Sequence, residues 1–194
     1  MMNNITGVLL TGGKSSRYKT DKAFARYYNE PFYQKAIQLI KPLTDHIYVV
    51  KRLEQQITVE SAKISVITDI DQYKGAGPLA GIYSAMQKAT SEWFLVLPVD
   101  TPLMKESILS EIIKCRSIDC EAVIPRVNDQ LQPLVGLYHA RAMQVIQQQL
   151  KTNKRSMHQL LAKLAVKYVD FPSEEGVFFA NINTEEDYKR YLKD

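Results

Sequence analysis

The feature that most constrains this chain is an unbroken apolar run, Trp93–Pro98, reading WFLVLP. A strand with water on one face alternates polar and apolar residues, whereas a strand covered on both faces reads as a continuous run. Ile5–Thr11 reads as the first strand. His46–Lys51 and Lys63–Ile67 are β-branched and bounded by polar residues, as strands two and three should be. Ala122–Pro125, Pro133–Tyr138 and Val166–Phe171 are further strand candidates. Between them lie helical patterns. One starts at Pro31 and carries Ala36, Ile37, Leu39 and Ile40; another opens at Pro78 with Leu79, Ile82 and Met86 on one face. Lys105–Arg116, Ala140–Leu150 and Ser156–Leu164 follow, and Thr184 with Asp187 forms a capping-box pattern that opens a last helix to Leu192. Strands alternating with helices imply an α/β fold, a mostly parallel sheet covered on both faces. In such a sheet ligands sit at the carboxyl ends of the strands, so those ends are where chemistry is expected.

The 194 residues correspond to one domain at about 150 residues per domain. A 45% apolar and 24% charged composition is that of a globular protein and excludes disordered, collagenous and coiled-coil chains. Cys115 and Cys120, the only cysteines, lie too close in sequence to frame a disulfide scaffold and are expected to be reduced. His46, His139 and His158 stand far from them, so no zinc spacing appears. The first residues, MMNNITGVLLTGGKSS, carry no basic segment ahead of their short apolar run, and no stretch approaches the ~20 apolar residues of a membrane span. A cytoplasmic protein without membrane or nucleic-acid partners is expected. The net charge of +4 is mild; what matters is where it sits.

Most of it sits in one loop. Thr11-Gly12-Gly13-Lys14-Ser15-Ser16-Arg17-Tyr18-Lys19-Thr20-Asp21-Lys22 follows the first strand, and Lys14 to Lys22 carry a net +3. Paired glycines let the backbone approach a ligand closely, and their N–H groups can cradle phosphates. The same residues could also form a solvated turn with surface lysines. A P-loop requires Gly-x4-Gly-Lys-Ser; Gly13-Lys14-Ser15 supplies its end, but the first glycine would fall at Val8. The Gly-x-Gly-x-x-Gly fingerprint is absent too, so this is a glycine-rich loop of another kind.

Leu95-Val96-Leu97-Pro98-Val99-Asp100-Thr101-Pro102 places a carboxylate just past the buried strand. There Asp100 either caps the next turn or offers a hard oxygen to Mg²⁺, which takes one or two carboxylates plus substrate phosphates. Gly75-Ala76-Gly77-Pro78 is a helix start that could face a ligand. Lys154-Arg155-Ser156 precedes another helix and is either an anion site or a charged surface turn.

Leu10-Thr11-Gly12-Gly13, then Ser16-Arg17, then Asp21-Lys22-Ala23 resembles the L-A-G-G-x-S-x-R-M-G-x-D-K signature of the nucleotidyltransferases of the molybdenum cofactor. Thr11 stands for the usual Ala, and Tyr18-Lys19 for Met-Gly. Val66-Ile67-Thr68-Asp69 followed by Gly77-Pro78-Leu79-Ala80-Gly81, the Asp100 segment (P-C-D-x-P in the family), Gln132–Tyr138 and Asn181-Ile182-Asn183-Thr184 match the same pattern in order from Leu10 to Asp187. On these motifs the chain is similar to the molybdenum cofactor guanylyltransferase family. That implies a single Rossmann-like three-layer α/β/α sandwich, related to nucleotide-diphospho-sugar transferases, over residues 1–194. A nucleotide-binding half would cover about 1–102 and an acceptor-binding half about 103–194.

The implied reaction transfers GMP from GTP to the phosphate of molybdenum-molybdopterin, releasing pyrophosphate. The alternative is a related enzyme using CTP or a sugar- or polyol-phosphate acceptor. The resemblance assigns Lys22, Arg17 and Asp100 to catalysis. It assigns Leu10, Thr11, Gly12, Gly13, Lys22, Asp69, Gly77 and Asp100 to the nucleotide, with Asp71 a rival to Asp69. Asp100 would hold Mg²⁺, and Arg155, Asn181 and Asn183 would face the acceptor. A reactive product further implies hand-over to other molybdenum cofactor proteins.

Overall fold

The computed structural model describes residues 4–12 and 21–192. Its strands are β1 (Ile5–Leu10), β2 (Arg26–Tyr27), β3 (Glu30–Pro31), β4 (His46–Val50), β5 (Ile64–Ile67), β6 (Trp93–Pro98), β7 (Ala122–Val127), β8 (Gln130–Leu131), β9 (Gly136–His139) and β10 (Val166–Phe171). Its helices are α1 (Phe32–Ile40), α2 (Pro78–Met86), α3 (Glu106–Lys114), α4 (Ala142–Lys151), α5 (Met157–Leu161) and α6 (Glu185–Tyr191).

The main sheet runs β10-β7-β9-β6-β1-β4-β5, with the short β8 paired to β7. β1 lies parallel to β4 and β6, and β4 to β5. β9 is antiparallel to both β6 and β7, and β7 is parallel to β10. So β1, β4, β5, β6, β7 and β10 all point one way, and their carboxyl ends share one edge.

The two-faced burial expected of Trp93–Pro98 is present along all of β6, and β1 shows the same pattern. The period of two splits each strand between two cores. Ile5 and Leu9 of β1 join Trp93, Leu95 and Leu97 of β6 beneath α1 and α3. Val8 and Leu10 join Phe94 and Val96 beneath α2, α4 and α5. Helices on both faces make three layers. Burying one Leu of this kind stabilises the fold by about 1.5–3 kcal/mol, and Leu9, Leu95 and Leu97 are fully buried.

Gly81 lets α2 come close to the sheet. A Cβ there would stand 2.8 Å from Leu10 Cδ2 and 3.2 Å from Val50 Cγ1. The helix therefore packs against the very end of β1.

Several boundaries differ from expectation. α1 begins at Phe32, because Pro31 closes the hairpin β2–β3 and serves as N-cap. That hairpin turns through Tyr28 and Asn29, both with positive φ, and β7–β8 turns likewise through Asn128 and Asp129. Turns of this sort usually advertise themselves with Asn-Gly or Asp-Gly, and neither does. The strand expected over Pro133–Tyr138 starts only at Gly136, since Gln132 to Val135 form a turn closed by Val135 N–H donating to the Gln132 carbonyl (3.0 Å). α5 ends at Leu161, where a last turn (Lys163 N–H to the Leu160 carbonyl, 2.9 Å) redirects the chain into β10. The capping box at Thr184 and Asp187 forms in full. Among the described residues no helix is long and apolar enough to cross a membrane.

Candidate active site

Lys22 opens a short 3-10 turn, Lys22–Phe24, whose N-cap is Asp21. The Asp21 carboxylate accepts the Ala23 N–H at 3.1 Å, which fixes where the Lys22 side chain departs. Its Nζ stands 3.6 Å from Asp100 Oδ2 and also donates to Asn183 Oδ1. One ammonium thus bridges two groups carried by distant parts of the chain.

Asp100 lies just past the end of β6, with its side chain 22% exposed. Burial pushes its carboxyl above the ordinary range, and the neighbouring Lys22 ammonium pulls it back. The Asp100 carbonyl accepts the Ile182 N–H at 2.8 Å. That bond docks the Asn181–Asn183 segment directly on the catalytic candidate. Asn183 is held from the other side, its N–H donating to Asp187 Oδ2 at 2.9 Å. The carboxylate that caps α6 therefore also orients the Asn181–Asn183 segment. Asn181 stands two residues earlier on this segment and is exposed.

A second corner forms past β5. Asp69 Oδ2 accepts the Gly75 N–H at 3.1 Å, and burial raises its carboxyl while that amide lowers it. Gly77, at φ +81°, turns the chain into α2, a conformation that favours glycine. Asp71 starts a separate 3-10 turn and is exposed. Arg155 comes to this corner. Its Nη1 donates to the Gly75 carbonyl at 3.3 Å and its Nε to Asn153 Oδ1 at 3.1 Å. The structure thus brings Lys22, Asp100 and Asn183 together, and Asp69 and Arg155 together through Gly75. Arg155, expected beside the acceptor, thus stands beside Gly75, near Asp69.

Leu10 and Thr11 are buried at the end of β1, and Gly12 is exposed. Gly13 and Arg17 lie outside the described residues. Sequence reasoning missed the groups that hold Thr11 and Asp21: Gln55, only 2% exposed, which bonds to both, and Arg52, whose Nη2 meets Asp21 Oδ2 at 2.6 Å. Nothing in their local sequence marks them.

Among the described residues no group of three or more His, Cys, Asp or Glu could enclose a metal. Asp100 offers a hard, partly desolvated oxygen at the end of β6. That suits a divalent cation whose remaining ligands are phosphate and water.

A doubly covered, mostly parallel sheet with a lysine–carboxylate pair at its carboxyl edge, just past the end of β1 and β6, is an architecture suited to nucleotidyl transfer. Comparison with known proteins carries this further. The chain belongs to the family described as the MobA-like NTP transferase domain, which it matches over residues 7–168. It is 35% identical to a probable molybdenum cofactor guanylyltransferase of Bacillus cytotoxicus over 98% of each chain. A relative of the same description from Bacillus mycoides is 33% identical over all of this chain and 98% of its own. Among solved structures it is similar to molybdopterin-guanine dinucleotide biosynthesis protein A of Archaeoglobus fulgidus, at TM-score 0.79 and 23% identity over 97% of this chain and 96% of the other.

Proposed function

We propose that this chain transfers GMP from GTP to the phosphate of molybdenum-molybdopterin, forming the guanine dinucleotide cofactor and pyrophosphate. The observation that carries the reading is the Lys22 ammonium held between Asp100 and Asn183 at the carboxyl edge of the sheet. The names of its relatives point the same way.

Both substrates are anionic, so positioning and charge neutralisation supply most of the catalysis. A phosphate oxygen of the acceptor forms a bond to the α-phosphorus, and the bond from that phosphorus to the β-bridging oxygen breaks. Pyrophosphate leaves on the far side. The attacking phosphate is already ionised near neutral pH, so no general base is needed, and none of the site residues is a histidine. Lys22 serves as the mobile point charge, exchanging its carboxylate neighbour for phosphate oxygens. Arg17 and the amides of Gly12 and Gly13 take the remaining triphosphate charge, Arg through bidentate contact. Asp69 and Gly77 face the base. Asn181 and Asn183 face the acceptor. Asp100 would hold Mg²⁺, which when bound neutralises phosphate charge and orients the attack.

In this reading residues 1–194 form one cytoplasmic domain. Residues up to about 102 serve the nucleotide and those beyond serve the acceptor. Arg155 is the exception, reaching back from the second half to Gly75. The product passes to other molybdenum cofactor proteins, which a cofactor-dependent pull-down would detect.

The deciding experiment is pyrophosphate release with each of the four NTPs, with and without molybdopterin. Release with GTP that depends on molybdopterin is expected. A preference for CTP would overturn the guanine assignment, and release with a sugar phosphate instead of molybdopterin would overturn the acceptor assignment.

A further inference from the structure

Gln55 lies in the loop after β4 and is 2% exposed. A carboxamide has two N–H donors and an oxygen with two acceptor sites, and here all four are used. Nε2 donates to the Thr11 carbonyl at 3.0 Å and to the Asp21 carboxylate at 3.0 and 2.9 Å. Oε1 accepts the Arg52 N–H at 2.8 Å and the Thr11 hydroxyl at 3.0 Å. The hydroxyl proton is shared with the Val50 carbonyl, also at 3.0 Å. Reversing the amide would set donors against donors, so the orientation is determined.

These partners are not arbitrary. Thr11 is where the chain leaves β1 for the glycine-rich loop, and Asp21 is where it returns, one residue before Lys22. One buried side chain grips both ends of the loop. Arg52 reinforces the grip, because its Nη2 meets Asp21 Oδ2 at 2.6 Å and its Cγ would lie 3.6 Å from a Cβ on Gly12. The threonine in place of the family's alanine gives Gln55 its hydroxyl partner.

We infer that Gln55 is a positioning residue: with Thr11, Asp21 and Arg52 it clamps the two ends of the phosphate loop and sets the origin of Lys22 relative to Asp100. The inference rests on the nucleotidyl-transfer reading and deepens it. Gln55 is buried and its partners are Thr11, Asp21 and Arg52, so it acts through Lys22 and the ends of the loop.

The test is Gln55→Leu, which keeps the volume and removes every hydrogen bond, with Asp21→Asn as the milder second variant. The readouts are kcat and KM for GTP per folded enzyme, and the GTP Kd by calorimetry. With Gln55→Leu, Kd and KM for GTP should rise tenfold or more and kcat should fall; Asp21→Asn should do the same more weakly. In a Lys22→Ala background the effect of either variant on GTP affinity should shrink, because the displaced lysine is already gone. A merely structural residue would lower the melting temperature and the folded fraction while leaving Kd, KM and kcat per folded molecule unchanged. That result, or strictly additive losses with Lys22→Ala, would overturn the clamp. If Gln55→Leu does not fold, Asp21→Asn decides by the same readouts. Absence of nucleotide-dependent turnover in the wild-type enzyme would count against the reaction, while the GTP affinities of the variants would still decide the clamp.

Discussion

Two carboxylates stand at the same edge of the sheet, and what faces them differs. Asp69, past β5, and Asp100, past β6, are both lifted above the ordinary carboxylate range by burial. At Asp69 the opposing influence is the Gly75 amide. At Asp100 it is the Lys22 ammonium. An amide dipole fixes an oxygen in direction and leaves its charge in place. An ammonium on a long flexible stem neutralises the charge and can move away. Asp69 is therefore suited to read fixed N–H donors on a base, and Asp100 to exchange one cation for another. In the proposed reading, recognition and charge handling would be separated along one edge, with β1 and β4 between the strands that carry the two carboxylates.

The largest expected effects fall on the charge-handling side. Asp100→Asn should lower kcat by roughly a thousandfold, the order seen when a preorganised electrostatic contact is lost from a transition state. Lys22→Ala should lower it by roughly a hundredfold or more on the same grounds. Pyrophosphate release from saturating GTP, normalised to folded enzyme, measures both. A similar fall in kcat with Asp69→Asn would erase the contrast between the two carboxylates.

Asp69→Asn should act on selection instead. A hydrogen bond to a charged acceptor contributes about 1.5–3 kcal/mol, so kcat/KM for GTP should fall by roughly 10- to 100-fold with kcat at saturation little changed. That pattern marks the loss of uniform binding. The preference for GTP over the other NTPs should narrow in parallel, and competition between nucleotides in one assay reads it. Unchanged discrimination would move base recognition away from this corner and leave Asp69 as a brace for Gly75.

How much of this could be read from the sequence follows from the range of the interactions involved. Trp93–Pro98 and Ile5–Leu10 declare themselves because burial on both faces is written in consecutive residues. Asp100 declares itself because it follows such a run, whereas Lys22 and Asp69 are marked only by the resemblance of their segments to the family's motifs. The hairpins at Tyr28-Asn29 and Asn128-Asp129 do not, since their positive φ values are borne by residues without the usual glycine. Gln55 is invisible locally, because its meaning comes from residues 34 and 44 positions away. Arg155 looks like an anion site in isolation, and only its bond to Gly75, 80 positions away, shows that it stands beside the Asp69 corner.

The smallest effect concerns stability and separates the two roles of Asp69 in the free protein. Its carboxyl is raised in the folded state, so the native chain binds more protons than the unfolded one between the ordinary carboxylate value and the raised one. The stability it contributes is fully present below the ordinary value and is lost as pH rises through the folded value. At neutral pH the ionised, half-buried carboxylate is thus mildly unfavourable to the fold. Asp69→Asn removes that charge while its side-chain oxygen can still accept the Gly75 N–H. The variant should melt slightly above the wild type at pH 7, and the difference should fade as the solution is acidified through the carboxylate range. Thermal melts at a series of pH values without nucleotide measure it. A variant that melts lower at every pH would mean that the Asp69–Gly75 bond stabilises the corner by more than the buried charge costs it, and that the carboxylate is kept there for the fold.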